Sequence, residues 1–158
     1  MVEFGMLCYD RSMGDDRLRV SVLADDVNFL LARANAVSLA AGNAALAAFG
    51  LKVRSYAVLA LATDDTRPTQ RDLSSYLRLD PSQVVALVDD LQSRGLITRR
   101  PDPADRRANI VVATEEGRAL FARAQAAVQE AERSAHGAIT DAEREQLTRL
   151  LQRLAYAD

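Results

Sequence analysis

Between Asp72 and Gly117 the chain reads DLSSYLRLDPSQVVALVDDLQSRGLITRRPDPADRRANIVVATEEG. No other stretch constrains the fold as much. Asp80 stands where a helix N-cap belongs, and Pro81 follows at the first helical position, where a missing N–H costs nothing. Gln83 has the spacing of a capping box. Val84, Leu87, Val88 and Leu91 then recur on one helical face, and Gly95 ends the run. Just upstream, Thr69 with Asp72 three residues on predicts a short helix, Gln70 to Leu77, with Arg78 and Leu79 left for a turn. Downstream, Leu96 to Arg99 and Asn109 to Ala113 read as short strands around RPDPADRR, whose prolines and aspartates call for a turn. Helix, turn, helix and a two-stranded ribbon with an arginine-rich tip is the pattern of a winged helix-turn-helix.

The flanks read as helices. Leu23, Val27, Leu30, Ala34, Val37, Ala41, Ala45 and Ala48 keep helical spacing, so a long helix is expected from Val22 to Phe49 with Gly50 as its stop. At 1.5 Å per residue it would run roughly 40 Å. That exceeds what a small domain needs and implies that part of it meets a partner chain. Its most apolar part, Val37 to Leu51, is too short to span a bilayer and reads as a buried core helix. Val53 to Ala62 is a short apolar helix. Thr114 caps a helix from Glu115 to about Ala135, and Thr140 with Glu143 opens a last one, Asp141 to Ala155, rich in leucine. The expected class is mainly α with a small two- to three-stranded β-wing. Residues 1–19 would form a flexible arm, 20–52 and 115–158 a helical dimerisation region, and 53–114 the winged helix-turn-helix. Met13 is a second candidate start of the chain.

Composition narrows the function. The 158 residues carry a formal charge of −2, so any charge for nucleic acid must be local. From Arg94 to Arg107 there are five arginines against Asp102 and Asp105, a local excess of three positive charges. Cys8 is the one cysteine and His136 the one histidine, which leaves no thiol cluster, no metal site and no catalytic triad with a choice of base. There is no phosphate loop and no dinucleotide glycine fingerprint, so no enzyme and no cofactor is expected. No signal peptide is visible, and the cytoplasm is the expected compartment.

Within the pattern, the helix from Pro81 would read DNA. Ser82 and Gln83 are its N-terminal polar groups; glutamine can bond adenine bidentately, while Val85 and Ala86 can meet thymine methyls. The bland alternative for Ser82 and Gln83 is helix capping. Arg94, Arg99, Arg106 and Arg107 complete the expected DNA-contacting set, since arginine on a ribbon can enter a narrow minor groove. Asp105 would orient Arg107 by a charge-assisted bond.

LDPSQVVALVDDLQSRGLITRRPDPADRRANIVVATEEG resembles the MarR family of bacterial regulators, in register with LDPS, V..LVD.L, RGL, R..DP.DRR and LT..G. GLKVRSYAVLALA and TDAEREQLTRLLQRLA resemble its preceding and closing segments, so the resemblance covers roughly residues 22 to 157. It implies a homodimer joined through the terminal helices, a palindromic operator with half-sites about one helical turn apart, and repression modulated by a small phenolic or lipophilic effector. For that effector Asn35, Ser38, Leu39 and Tyr56 are candidates, with Tyr76 nearby. The chain departs from the family at Val85 and Ala86, where threonine and arginine are frequent, and at Asp90, where a base is common. Asp89 and Asp90 make the helix acidic at its middle, which predicts weaker or more selective binding carried largely by the wing. Cys8 invites comparison with members that sense oxidants, but it lies in the arm and only Arg11 is near enough in sequence to lower its pKa. Two other readings stand beside this one: a winged helix that has lost DNA and works through protein contacts, and a small-molecule-binding or enzymatic helical protein.

Overall fold

The computed structural model describes residues 19–157, apart from 104 and 106. The expectations for Cys8, Met13 and Arg106 fall outside these residues. Helix α1, Val27–Leu46, starts later than its apolar period suggests. Asp26 decides this, because its carboxylate accepts the Phe29 N–H at 2.7 Å. Residues 21–24 form turns, in which the Ser21 hydroxyl takes the Leu23 N–H and competes with the helix. A 3₁₀ turn, Ala47–Phe49, follows α1, and Gly50 stops it in the left-handed region at φ 62°.

Val37 to Leu51 is not a buried core helix, since Gly42 and Leu46 are the only buried residues of α1. Nor is it confined to a short run. Val27–Phe49 is long and apolar enough, by length and composition, to cross a membrane. The stretch is dominated by alanine and leucine, and hydropathy alone does not say what covers it. The chain falls into two compact units divided after Val37. The first holds the 21–24 turns and the start of α1, and the second holds everything from Ser38 onward.

In the second unit, α2 spans Val53–Thr63. Asn43 of α1 supplies its start, accepting the Val53 N–H at 3.0 Å. Helix α3, Gln70–Leu77, opens with the expected capping box, Thr69 and Asp72 exchanging bonds. Its hydrogen bonds pull the Asp72 carboxyl below the usual carboxylate range, that from the Thr69 hydroxyl above all. The turn into α4, Pro81–Ser93, passes through Arg78 at φ 50° and is held by the Ser74 hydroxyl on the Leu79 carbonyl at 2.7 Å. Leu73, Val84, Val88 and Leu91 are fully buried and join α3 and α4 to Val58 and Leu59 of α2. Burying each such side chain is worth about 1.5–3 kcal/mol.

Strand β1, Ile97–Pro101, pairs antiparallel with β2, Asn109–Ala113, from Ile97 opposite Ala113 to Pro101 opposite Asn109. A bridge from Thr69 to Ile110 adds the rudiment of a third strand, and the Val111 N–H reaches the Pro68 carbonyl at 2.8 Å. Leu96 closes the preceding helix instead of opening the strand, its N–H bonding Leu91 O at 3.0 Å. Helix α5, Glu115–Ala135, is capped by Thr114 and ends at His136. Helix α6, Asp141–Ala155, is capped by Thr140 and Glu143, and none of its residues is buried. Leu147, Leu150, Leu151 and Leu154 stand exposed along it.

Candidate nucleic-acid interface

The start of α4 is built by Asp80. Its carboxylate accepts both the N–H and the hydroxyl of Ser82, and the hydroxyl bond chiefly holds it below the usual carboxylate range. Ser82 is thus a capping residue whose hydroxyl retains acceptor capacity. Gln83 does not complete a capping box. Its side chain turns instead to Arg54 of α2, accepting from the guanidinium in a long contact of 3.5 Å. Val85, 43% exposed, and Ala86 face outward beside it, as the helical period requires. Ser82, Gln83, Val85 and Ala86 therefore share one accessible end of the helix.

The arginines divide into two groups. Arg94 donates to the Gly50 carbonyl at 2.9 Å and the Phe49 carbonyl at 3.2 Å, and reaches Asp90 at 3.4 Å. It ties the end of α4 to the residues that follow α1. Arg99 donates from Nε to Gln70 Oε1 at 2.8 Å, from Nη1 to Gln92 Oε1 at 2.9 Å, and from Nη2 to Asp89. Strand alternation explains this: Ile97 and Arg99 point to one face, and Ile97 is buried there. Both guanidinia are engaged by the fold, Arg94 at the surface and Arg99 partly buried, while the Arg100 and Arg107 side chains are exposed and bond no other described residue. The acidic centre of α4 is accordingly paired, Asp89 with Arg99 and Asp90 with Arg94.

At the wing tip the Asp102 N–H bonds Ala108 O and the Ala108 N–H bonds Asp105 O, each at 2.9 Å. Asp105 accepts the Arg107 backbone N–H at 3.0 Å, and the expected charge-assisted bond to the guanidinium is not formed. Such a side-chain turn is local and leaves the Arg107 head group exposed.

Against α4 lies a cavity of about 630 Å³, which Gln83 and Ala86 of the accessible end also line. Leu39, Val53, Ala86 and Leu87 give it an apolar wall, Lys52 and Arg54 supply cations, Asp90 a carboxylate, and Asn43, Ser55 and Gln83 neutral polar groups. Of the expected effector residues, Leu39 alone lines it. Ser38 bonds His136 Nε2 at 2.9 Å, and Tyr56 stacks on Phe121 with ring centroids 5.4 Å apart. Burial pushes the Tyr56 phenol up. Asn35 is exposed in the N-terminal unit. Tyr76 shares a hydroxyl bond of 2.8 Å with Tyr156 and lines a second, smaller cavity of about 330 Å³. Sequence reasoning missed Lys52 and Arg54. Their signal was two cations flanking Val53 in an otherwise apolar segment, one of them the chain's one lysine.

Comparison with known proteins agrees with this geometry. The MarR family pattern matches residues 49–108. A MarR-family transcriptional regulator from Rhodococcus sp. RHA1 is 42% identical with a TM-score of 0.80, over 87% of this chain and 99% of that one. CouR from Rhodococcus jostii RHA1, solved bound to p-coumaroyl-CoA, is 43% identical with a TM-score of 0.79, over 87% and 97%. A protein described as a transcriptional regulator for the hcr operon of Thauera aromatica is 32% identical over 103 residues, 65% of this chain and 62% of that protein. A helix-turn-helix with a buried inner face, an exposed arginine at the tip of its wing, and overlap with both Rhodococcus regulators over 87% of this chain place it in the MarR family of transcriptional regulators.

Proposed function

We propose that the protein is a cytoplasmic homodimer that represses transcription from a palindromic operator and is released by an effector held in the larger cavity. The observation that carries this reading is the accessible end of α4, with Ser82, Gln83, Val85 and Ala86 outward and the exposed Arg107 at the wing tip. The helix end meets base edges and the wing supplies phosphate or minor-groove contact. The paired arginines Arg94 and Arg99 serve by holding the reading helix in place. Pairing of Asp89 with Arg99 and of Asp90 with Arg94 offsets the negative charge at the middle of α4, although both carboxylates remain exposed.

Dimerisation is supported by α1 and α6, whose apolar residues lack cover in the single chain. A partner helix satisfies them as well as a bilayer would, and Arg33 and Asn35 within α1 fit the partner better. The cavity has the size of ligand sites in general. An apolar wall with Lys52 and Arg54 suits an aromatic or acyl body carrying an anionic group, the chemistry of the p-coumaroyl-CoA that CouR binds. The effector would act by holding the dimer in a form whose reading helices no longer match the operator spacing, which requires different affinity for the two forms.

The test is fluorescence anisotropy on DNA from the protein's own upstream region across a salt series, beside the Arg106→Ala, Arg107→Ala variant. Tight binding that weakens with salt, and weakens further in the variant, is expected because phosphate contacts release counterions. Affinity that the variant barely changes would refute the role given to the wing. Addition of p-coumaroyl-CoA, p-coumarate or coenzyme A then tests the effector class, and unchanged DNA affinity with all three argues against it.

A further inference from the structure

We infer that Asp89, an acidic residue on the outer face of the reading helix, is a positioning residue for DNA binding: through Arg99 it sets the wing at the distance from α4 at which Arg107 reaches the duplex. The inference rests on the DNA-binding reading above.

All three nitrogens of the Arg99 guanidinium are engaged. Nε is held by Gln70 at the first position of α3, Nη1 by Gln92 and Nη2 by Asp89, both on α4. A planar fork with acceptors on two helices fixes direction as well as distance. Arg99 sits at the centre of β1, opposite Val111. Strand β2 has its own ties, to Pro68 and Thr69. Among the described residues, Arg99 makes the side-chain hydrogen bonds that join β1 to the two helices. The ribbon is therefore held along its β2 edge by backbone and on one face by this guanidinium. Arg107 lies at the end of that ribbon, so a small rotation at Arg99 becomes a larger displacement at the tip.

Charge alone makes the opposite forecast. A carboxylate on a DNA-facing helix repels phosphate, so removing it should strengthen binding. Freeing Arg99 would add a cation to the same surface. A positioning role inverts the sign, which makes the two accounts separable in one measurement.

The experiment uses the full chain and a duplex selected from random sequence by the wild-type protein. Asp89→Asn, Asp89→Glu, Arg107→Ala and the Asp89→Asn, Arg107→Ala double variant are compared by anisotropy, with a thermal midpoint for each. Asp89→Asn is expected to weaken binding about ten-fold, roughly 1.4 kcal/mol, and Asp89→Glu to recover part of it. The double variant should bind like Asp89→Asn within about two-fold, because a misplaced wing no longer delivers Arg107. Affinity that rises or holds in Asp89→Asn, or losses that multiply in the double variant, overturns the inference. If Asp89→Asn does not fold, Gln92→Ala removes a neutral acceptor of the same guanidinium and must show the same dependence on Arg107. A wild-type chain that selects no duplex sinks the DNA-binding reading itself, a result distinct from a binding protein indifferent to Asp89.

Discussion

Gly117→Ala should destabilise the fold, although it sits in the first turn of a helix where alanine ordinarily gains about 1 kcal/mol over glycine. A Cβ at Gly117 would lie 1.9 Å from the Leu96 carbonyl oxygen and 2.9 Å from its carbon. Leu96 cannot give way freely. Its N–H bonds Leu91 O at 3.0 Å, and its carbonyl accepts the Thr114 N–H at 3.0 Å and the Thr114 hydroxyl at 3.2 Å. Separating α5 from that carbonyl sacrifices about two hydrogen bonds at roughly 1 kcal/mol each. Strain in a filled interior adds about 1–3 kcal/mol. After the gain in helix propensity, the net loss is about 2–4 kcal/mol. Urea unfolding at fixed protein concentration measures it, since association would otherwise shift the midpoint. Gly95→Ala is the control: it meets open space but sits at φ +70°, so only the left-handed strain of about 1–2 kcal/mol applies. A Gly117→Ala chain as stable as wild type, or more so, would refute the reasoning.

Two further outcomes follow from the structure. Asp72, Asp80 and Glu143 all have carboxyls held below their ordinary range by capping bonds, from the side chains of Thr69 and Ser82 and the backbone of Thr140 respectively. Their folded-state values are depressed, so the stability they add is complete above the unfolded carboxylate range near pH 4 and fades as pH falls through the folded values. A thermal midpoint plotted against pH should fall on the acid side, and Asp80→Asn, which keeps a cap without titrating, should make that fall shallower; an unaltered acid limb contradicts the assignment. Leu150→Glu with Leu154→Glu should yield monomer in sedimentation experiments at micromolar concentration, because like charges would face a partner helix; a persistent dimer would place the interface elsewhere.

The parts of this fold that sequence displays are those with short-range causes. Thr69, Asp80, Thr114 and Thr140 each cap the helix their spacing announces, and Gly50 and Gly95 end theirs. Asp26 gives the same kind of signal, but the apolar period extends past it to Val22 and masks it. The inward turn of Arg99 was also available, since it shares a strand face with buried Ile97. By contrast, Ser38 meets His136 across 98 positions, and Arg54 meets Gln83 across 29. Nothing local to either residue encodes such a pairing. The exposure of α1 is hidden for a different reason: an apolar helix looks the same whether its cover comes from its own chain or another.

Helix α6, which buries nothing of its own, gives the chain an unusual relation to its own abundance. A fifteen-residue helix without tertiary cover is marginal in water. Under the proposed pairing, a subunit that has not found its mate would fray here and offer proteases an extended leucine-rich tail. Newly made copies would be degraded until enough accumulate to pair, after which survival rises steeply with copy number. A gradual change in synthesis would then reach the operator as a threshold, set by how fast stray subunits are cleared.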